Sequence, residues 1–597
     1  MLALCCSPSL RIEIGSPALG DFLGGGGLVV VGQVTGPEEE GVHLLVDGLA
    51  LPTAGDGAFS TELAVEPDRP FRAVDLALRR EDTGELFQRR RITTVVGEAG
   101  PADERVAGGI AIRLSDLALD TIASEFAAAV EAELDVETLI RESNPVASES
   151  ECIVDTPLGC AAKLKVEADI EKVDFAKLKV NADSRNDFLK LEVILKHLEI
   201  EYDTDGDIDC KGRIRTDKVT VPGDYLVAPD ALKPWRLDVD LVPDSLYVKL
   251  EGFDHEFTGG VCDAPIVDDV VEDLLGDIDD LLRDALEEVL DDPDGSGRKD
   301  SPVAEGVEDA IDYRSLWAPL GEALGVGVDT HLGAAVADRK GLTIDFDLLV
   351  GEPALDCEPG PDLAAALRVP SVPIEWGELT PGGQPYDLAV ALSASALNQM
   401  MRARVACGWL RSSIDTLDLG SGPVPLDAGL LAILVPDFAA IAPDTPLTLE
   451  LEPVLAPLVT GELGPAGELL DLWLSHWKVS VVDPNQSALI ELVIELRAGV
   501  GLALGADGAS LEFALGTVPG EAIRSAVVRS LLDVDEAQVA AAVAALVPVM
   551  LDSFGLDLDP IPLPELIGLQ LVGVEMAPVG DQVVAFLGLA PETPPAP

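Results

Sequence analysis

The chain is poor in the residues on which most protein chemistry depends. Only five histidines occur in 597 residues: His43, His197, His255, His331 and His476. No hydrolase elbow, P-loop, dinucleotide fingerprint or HExxH accompanies them. His197 falls in an alternating strand pattern and His255 near a strand end, positions that suit structural histidines better than a catalytic base. Eight cysteines form no CxxC, and no histidine stands at zinc-ligand spacing from them. Positive charge is scarce as well. Lys and Arg number 40 against 107 Asp and Glu, a formal net charge of -67. Phosphate recognition needs a basic surface, so nucleic acid is excluded as a partner. Nor is there an apolar run that spans a bilayer. The best candidate, Val539 to Leu551, lies between Glu536 and Asp552 and contains Pro548. It falls short of the roughly 20 residues needed and reads as a buried helix.

What is present points to packed cores under an acidic surface. Hydrophobic residues make up 48% and the mean hydropathy is +0.27. That rules out disorder, the usual reading of extreme acidity. The charge favours a soluble monomer at some cost in self-repulsion, which salt would screen. The length predicts two to four domains. Two acidic loops resemble calcium ligands. "DTDGDID" offers Asp203, Asp205, Asp207 and Asp209; "DPDGSGRKD" offers Asp292, Asp294, Ser296 and Asp300. Neither supplies a glutamate at position twelve. A hairpin turn and an interdomain loop account for them, so no metal and no cofactor is expected.

Residues 8–100 carry short strand patterns punctuated by Gly, Pro and Asp, the spacing of a small β-sandwich. Arg79, Arg80, Arg89, Arg90 and Arg91 make the one dense basic run, read as a solvated strand face with membrane docking as the alternative. "GEAGPADERVAGG" reads as a linker. Ser115 then caps a helix predicted to reach about Ile140, with Leu119, Ile122, Phe126 and Val130 on one stripe. Long alternating strands follow, then a second helix from Ile266 to about Leu290 that includes Leu274 and Ile278 on its apolar face. In the second half a short helix is expected near Leu430 to Ile441, broken at Pro436. From Ile490 to Leu504 every even position is apolar, which predicts a strand from Ala488 roughly 55 Å long at ~3.3 Å per residue. Helical material is expected from Pro519 to about Phe554. The closing stretch "LDPIPLPELIGLQLVGVEM" then enters a strand that is apolar on both faces, which calls for a packing partner on each side.

Several of these stretches resemble known families. Residues 8–100 resemble bacterial immunoglobulin-like domains, spacers outside the cytoplasm. "GGIAIRLSDLALDTIASEFAAAVEAEL" resembles the opening of the bactericidal/permeability-increasing protein family, within the tubular lipid-binding superfamily; Gly109, Ile112, Arg113, Leu119 and Asp120 stand at its motif positions. "PVMLDSFGLDLDPIPLPELIGLQLVGVEMAPVGDQVVAFLGL" resembles that family's closing pattern. "YDLAVALSASALNQMMRARVACGWL" and "PDTPLTLELEPVLAPLV" fit between them. The resemblance implies an α+β fold: two tubular lipid-binding modules, long helices on long curled antiparallel sheets, in an elongated arrangement. With the N-terminal all-β sandwich, the expected domains are 8–100, 106–295 and 306–590. It also implies a disulfide between Cys210 and Cys262; Cys152–Cys160 and Cys357–Cys407 are the expected remaining pairs. An even cysteine count without metal spacing independently favours disulfides and an oxidising compartment, with buried free thiols as the alternative.

"MLALCCSP" resembles the tail of a bacterial lipoprotein signal, with Cys5 or Cys6 as the lipidated residue, against the alternative of an ordinary start. The expected location is therefore periplasmic, extracellular or outer-membrane-associated. The expected function is non-enzymatic: binding lipid in elongated apolar pockets and carrying it at or between membranes. Strong acidity favours neutral or zwitterionic lipid over anionic. The expected lining is Leu119, Ile122, Phe126, Val130, Leu274 and Ile278 in the first module, and Val539, Val543, Leu546 and Met550 in the second. The rival reading is an extracellular scaffold or interaction protein with filled cores.

Overall fold

The computed structural model describes residues 10–591, apart from 25, 37–40, 67–68, 134–146, 157–158, 207–209, 261–312, 354–356, 358, 419–421, 507, 555–559 and 564–568. The chain opens with eight strands: β1 (Arg11–Ser16), β2 (Phe22–Leu23), β3 (Leu28–Thr35), β4 (Val42–Val46), β5 (Leu49–Leu51), β6 (Ala58–Leu63), β7 (Phe71–Arg80) and β8 (Leu86–Val96). They form a three-stranded sheet, β1–β3–β6, and a five-stranded sheet, β2–β8–β7–β4–β5. Period-two alternation sends Leu28, Val30 and Phe59 from one sheet, and Leu44, Leu76 and Ile92 from the other, into a shared core. The β4–β5 hairpin turns on Asp47 and Gly48, both at positive φ, as a two-residue primed turn requires.

A short strand, β9 (Glu98–Pro101), leads to β10 (Val106–Ser115) and helix α1 (Asp116–Glu133). Eight strands follow: β11 (Ala147–Thr156), β12 (Gly159–Asp174), β13 (Lys177–Ser184), β14 (Leu189–Gly206), β15 (Cys210–Pro229), β16 (Leu237–Leu241), β17 (Lys249–Glu251) and β18 (Asp254–Gly260). They make one antiparallel sheet around the long β14–β15 pair. Asp120 ties α1 to this sheet by accepting from Ala182 N at 3.2 Å, and Asp116 accepts from Ser184 N at 2.8 Å.

Helix α2 (Tyr313–Leu324) precedes β19 (Val326–Asp338), β20 (Gly341–Pro353), β21 (Ala365–Arg368) and β22 (Leu388–Ser393). Helix α3 (Ala394–Ala406) is capped by Ser393, whose side chain accepts from Ala396 N. Next come β23 (Ser412–Ile414), β24 (Thr416–Asp418), β25 (Pro423–Pro425), helix α4 (Ala428–Leu434), β26 (Thr448–Pro453), β27 (Leu458–Val459), β28 (Leu470–Val482), β29 (Ala488–Leu504), β30 (Ser510–Leu515) and β31 (Ile523–Ser530). Helix α5 (Glu536–Phe554), β32 (Ile561–Pro562), β33 (Leu569–Val579) and β34 (Gln582–Pro591) end the described chain. A six-stranded sheet, β19–β20–β10–β22–β34–β33, draws on both halves of the sequence. A second eight-stranded sheet gathers β23 and β26–β32.

Strand β33 answers the puzzle of its two apolar faces. It is an edge strand of the six-stranded sheet. Leu571 enters the main core, while Val574 and Ala577 join a separate cluster on Tyr386, Ala389 and Phe586.

The α+β expectation is overturned. Strands make up 56% of the structure and helices 13%, and only five helices occur among the described residues. None is a long helix laid along a curled sheet; the longest has 19 residues. One cause is plain at Pro519 to Phe554, which reads as helical throughout. Its first part, "IRSAVVRS", is strand β31, where β-branched residues and antiparallel pairing with β29 outweigh a weak helical stripe. The predicted helix from Ile266 lies outside the described residues.

Candidate functional site

Strands β28 and β29 are joined by a tight turn in which Asp483 Oδ1 accepts from Asn485 N and Ser487 N, each at 2.9 Å. Their register pairs Val481 with Ile490, Val479 with Leu492, Trp477 with Ile494, Leu474 with Leu496, Leu472 with Ala498 and Leu470 with Val500. All these side chains share one face and belong to the main core. Between Leu474 and Trp477, β28 spends one residue more than β29. This β-bulge resets the alternation, so Trp477 returns to the inner face and His476 turns outward.

Helix α5 roofs the inner face. Val539, Ala542, Val543, Leu546 and Val547 recur at i, i+3, i+4, i+7 and i+8, and all five line a void over Val479, Val481, Ile490, Leu492 and Ile494. Leu431, Leu434, Val435 and Phe438, from α4 and the turn after it, close one side. Asp427 caps α4 by accepting from Leu430 N at 2.7 Å. The lining is wholly apolar and the void measures about 60 Å³. A second void, about 30 Å³, lies farther along the same strand pair, under Leu397, Met400, Met401 and Arg404 of α3 and against Leu470, Leu472 and Val500; Arg404 is the one charged residue on its wall. The opposite edge of α3 is polar and hydrogen-bonded to the surrounding backbone. Asn398 bonds Val459 and Leu367, Gln399 bonds Val350 and Glu104, and Arg402 donates to the carbonyls of Leu363 and Val350.

The outer face of β28–β29 is covered too. Strands β7 and β8 of the N-terminal sandwich dock on it. Arg91 pairs with Glu495, which is buried, and with Asp75 at 2.8 Å. Arg89 donates to Val527 O and to Glu536, the first residue of α5, each at 2.9 Å. Thr93 Oγ1 lies 2.8 Å from His476 Nδ1. Phe71 meets Trp473 edge-on with ring centroids 5.6 Å apart. Burial, with Arg91 and Lys478 nearby, depresses the His476 pKa to about 4, so this imidazole is neutral. The arginine run is therefore not a solvated face at Arg89 and Arg91; it reaches the roof and floor of the slot.

Of the residues expected to line a lipid site, Val539, Val543 and Leu546 come together at the void beneath α5. Met550 lies on the same helix, but its side chain is outside the described set. Leu119 is buried in the main core and Ile122 is half-buried; neither touches the two voids above. Phe126 and Val130 lie on α1 with side chains outside the described set, and Leu274 and Ile278 are outside it altogether. The lining under α3 was missed, although Leu397, Met400 and Met401 stand at i, i+3 and i+4 and carry the signal.

The cysteines divide similarly. Cys210 pairs across the sheet with Gly260, and Cys262 lies outside the described residues. The β11–β12 register sets Cys152 opposite Lys163 and Cys160 opposite Asp155. At ~3.3 Å per residue they stand roughly 10 Å apart along the ladder, beyond disulfide reach. Cys357 and Cys407 are not bridged to each other; Cys407, the residue closing α3, has its sulfur 3.9 Å from Gly325 O. The expected Cys357–Cys407 bridge is absent, because order along the chain does not by itself bring two Cβ atoms face to face.

In the first acidic loop, Asp203 pairs with Lys211 at 2.8 Å; the second loop lies outside the described residues. Among the described residues no cluster of three or more His, Cys, Asp or Glu could hold a metal ion, and no helix is long and apolar enough to cross a membrane.

No protein-family model matches the chain, and no curated protein matches it. Among solved structures, a lipopolysaccharide binding protein is 15% identical with a TM-score of 0.40, covering 81% of this chain and 100% of its own. P47 of Clostridium botulinum E1 is 8% identical with a TM-score of 0.24, covering 82% of this chain and 100% of its own.

Proposed function

We propose that the protein binds the hydrocarbon tails of lipid in the slot roofed by α5 and carries that lipid at or between membranes outside the cytoplasm, without catalysing a reaction. The observation that supports this reading is the void beneath α5, lined by apolar side chains alone. An apolar cavity stays dry and favours an apolar guest. Each methylene moved from water into it contributes about 0.8 kcal/mol. At about 60 Å³ the void is smaller than an acyl chain needs, so loading requires α5 to lift from β28 and β29. Glu536 at the start of α5 is held by Arg89, so the sandwich tethers that end of the roof. The net charge of -67 repels anionic headgroups and leaves neutral or zwitterionic lipid as the cargo.

The small void also favours a second reading, a scaffold whose cores are filled. Organic extraction of the purified protein, followed by mass spectrometry, separates the two. Bound lipid is expected in the wild type, and the Val543→Trp variant should hold at least about tenfold less while remaining folded. That is the loss expected when shelter for about two methylenes disappears. Equal lipid in both proteins, or none in the wild type, leaves the filled-core scaffold standing.

A further inference from the structure

The two voids share one wall. Alternation along β29 puts Ile490, Leu492 and Ile494 under α5 and Val500 under α3, all on the same face. From Ile490 to Val500 that face runs about 33 Å at ~3.3 Å per residue. Between the residues that line the two voids the register leaves the cross-strand pair Leu474 with Leu496, and Trp477 stands opposite Ile494 at the edge of the α5 void. Leu474, Trp477 and Leu496 are all buried, and none of them lines either void. The β-bulge is what brings Trp477 inward at this point. A regular strand carrying the same alternation past Leu474 would have aimed His476 into the slot instead.

The geometry points to Leu474, Trp477 and Leu496 as a waist that divides one apolar slot into two and sets the length of acyl chain it accepts. This rests on the lipid-binding reading above and adds to it a class of ligand, a single-tailed neutral lipid whose tail is no longer than an ordinary membrane chain, seated at the α5 end. The stretch from Ile490 to Ile494 covers about 13 Å at ~3.3 Å per residue. One leaflet of a bilayer occupies about 15 Å, half of the ~30 Å hydrocarbon core. A tail of ordinary membrane length therefore fills the α5 end and stops at Trp477, and a longer one has nowhere to go. The bulge thus serves two purposes: His476 faces the sandwich at Thr93, and the indole of its neighbour closes the slot.

The test uses the full chain, delipidated and incubated with an equimolar mixture of monoacylglycerols with chains from decanoyl to docosanoyl. Gel filtration removes the unbound lipid and mass spectrometry reads the bound species. Wild type should select the shorter chains. Trp477→Leu and Leu496→Ala, each checked for a cooperative thermal transition, should enrich the docosanoyl species about tenfold relative to the decanoyl one. That shift corresponds to shelter for about two further methylenes. An unchanged chain-length profile in the folded variants overturns the waist and leaves lipid binding intact. If the wild type binds no monoacylglycerol of any length, the lipid-binding reading fails and the waist fails with it.

Discussion

The two eight-stranded sheets have similar sequences of alternating residues and very different surroundings. In the sheet built on β14 and β15, one face is packed and much of the other is wet, although Ile194 and Thr220 are buried on it. Strand β16 shows it plainly, with Leu237, Val239 and Leu241 buried and Asp238 and Asp240 exposed. Eleven of the chain's fourteen lysines lie between Lys163 and Lys249. The wetter side of the sheet carries cross-strand pairs such as Lys211–Asp203 and Arg215–Glu199. In the sheet built on β28 and β29, both faces are covered. All but one of the thirteen residues of β28 are buried. The inner face holds the slot; the outer face meets the N-terminal sandwich. The same kind of ion pair therefore has a different meaning in the two sheets. Exposed pairs contribute about 0–1 kcal/mol, whereas removing one member of a buried pair strands a charge.

The sharpest way to break this comparison is to delete one cation from each sheet. Arg91→Ala leaves Glu495 buried beside Asp75 without its guanidinium, and should cost about 3–5 kcal/mol in a denaturant titration. Lys211→Ala should cost about 1 kcal/mol or less. Equal losses would mean that the sandwich does not bury the β29 face in solution.

Next in size is a pH effect confined to the covered sheet. His476 has a folded pKa of about 4, below its ordinary 6.5, so the folded state binds fewer protons than the unfolded one. Its contribution is present above about pH 6.5 and is lost as pH falls toward 4. The full amount is about 3 kcal/mol. Comparing wild type with His476→Gln across that window should show a shallower decline in the variant. Parallel curves would place His476 in water rather than against Thr93.

The smallest effect concerns the exposed acidity of the whole chain. Thermal midpoints should rise modestly from low salt to about half-molar sodium chloride, because screening acts over a Debye length of ~10 Å at 0.1 M. The buried Arg91–Glu495 pair is screened much less, so the midpoint difference between wild type and Arg91→Ala should stay nearly constant. A falling midpoint would show that attractive surface pairs outweigh net repulsion.

Much of the slot is legible in the order of residues. The even-numbered apolar series from Ile490 to Leu504 is a strand with one apolar face, and the recurrence of Val539, Val543 and Leu546 is one face of a helix. Both follow from periodicity, a local property of the chain. Three features are not legible in that way. The first is the side to which Trp477 points, because a bulge changes the count by one and leaves no composition signal. The second is the boundary inside Pro519–Phe554, where antiparallel pairing with β29 decides in favour of strand. The third is the fate of Arg89 and Arg91, whose partners Glu536 and Glu495 lie more than 400 residues away.

The amino-acid sequence by itself determined the acidic surface, the apolar material for several cores, the alternation of the long strands and the apolar stripe of α5. These depend on residue type and on the fixed periods of strand and helix. Tertiary structure alone decided that the fold is mostly β, that both faces of β28–β29 are buried, that Trp477 turns to the inner face and that an arginine run became an internal joint. Each of those outcomes depends on which distant segment covers a given face, and a face carries no mark in sequence of what will cover it.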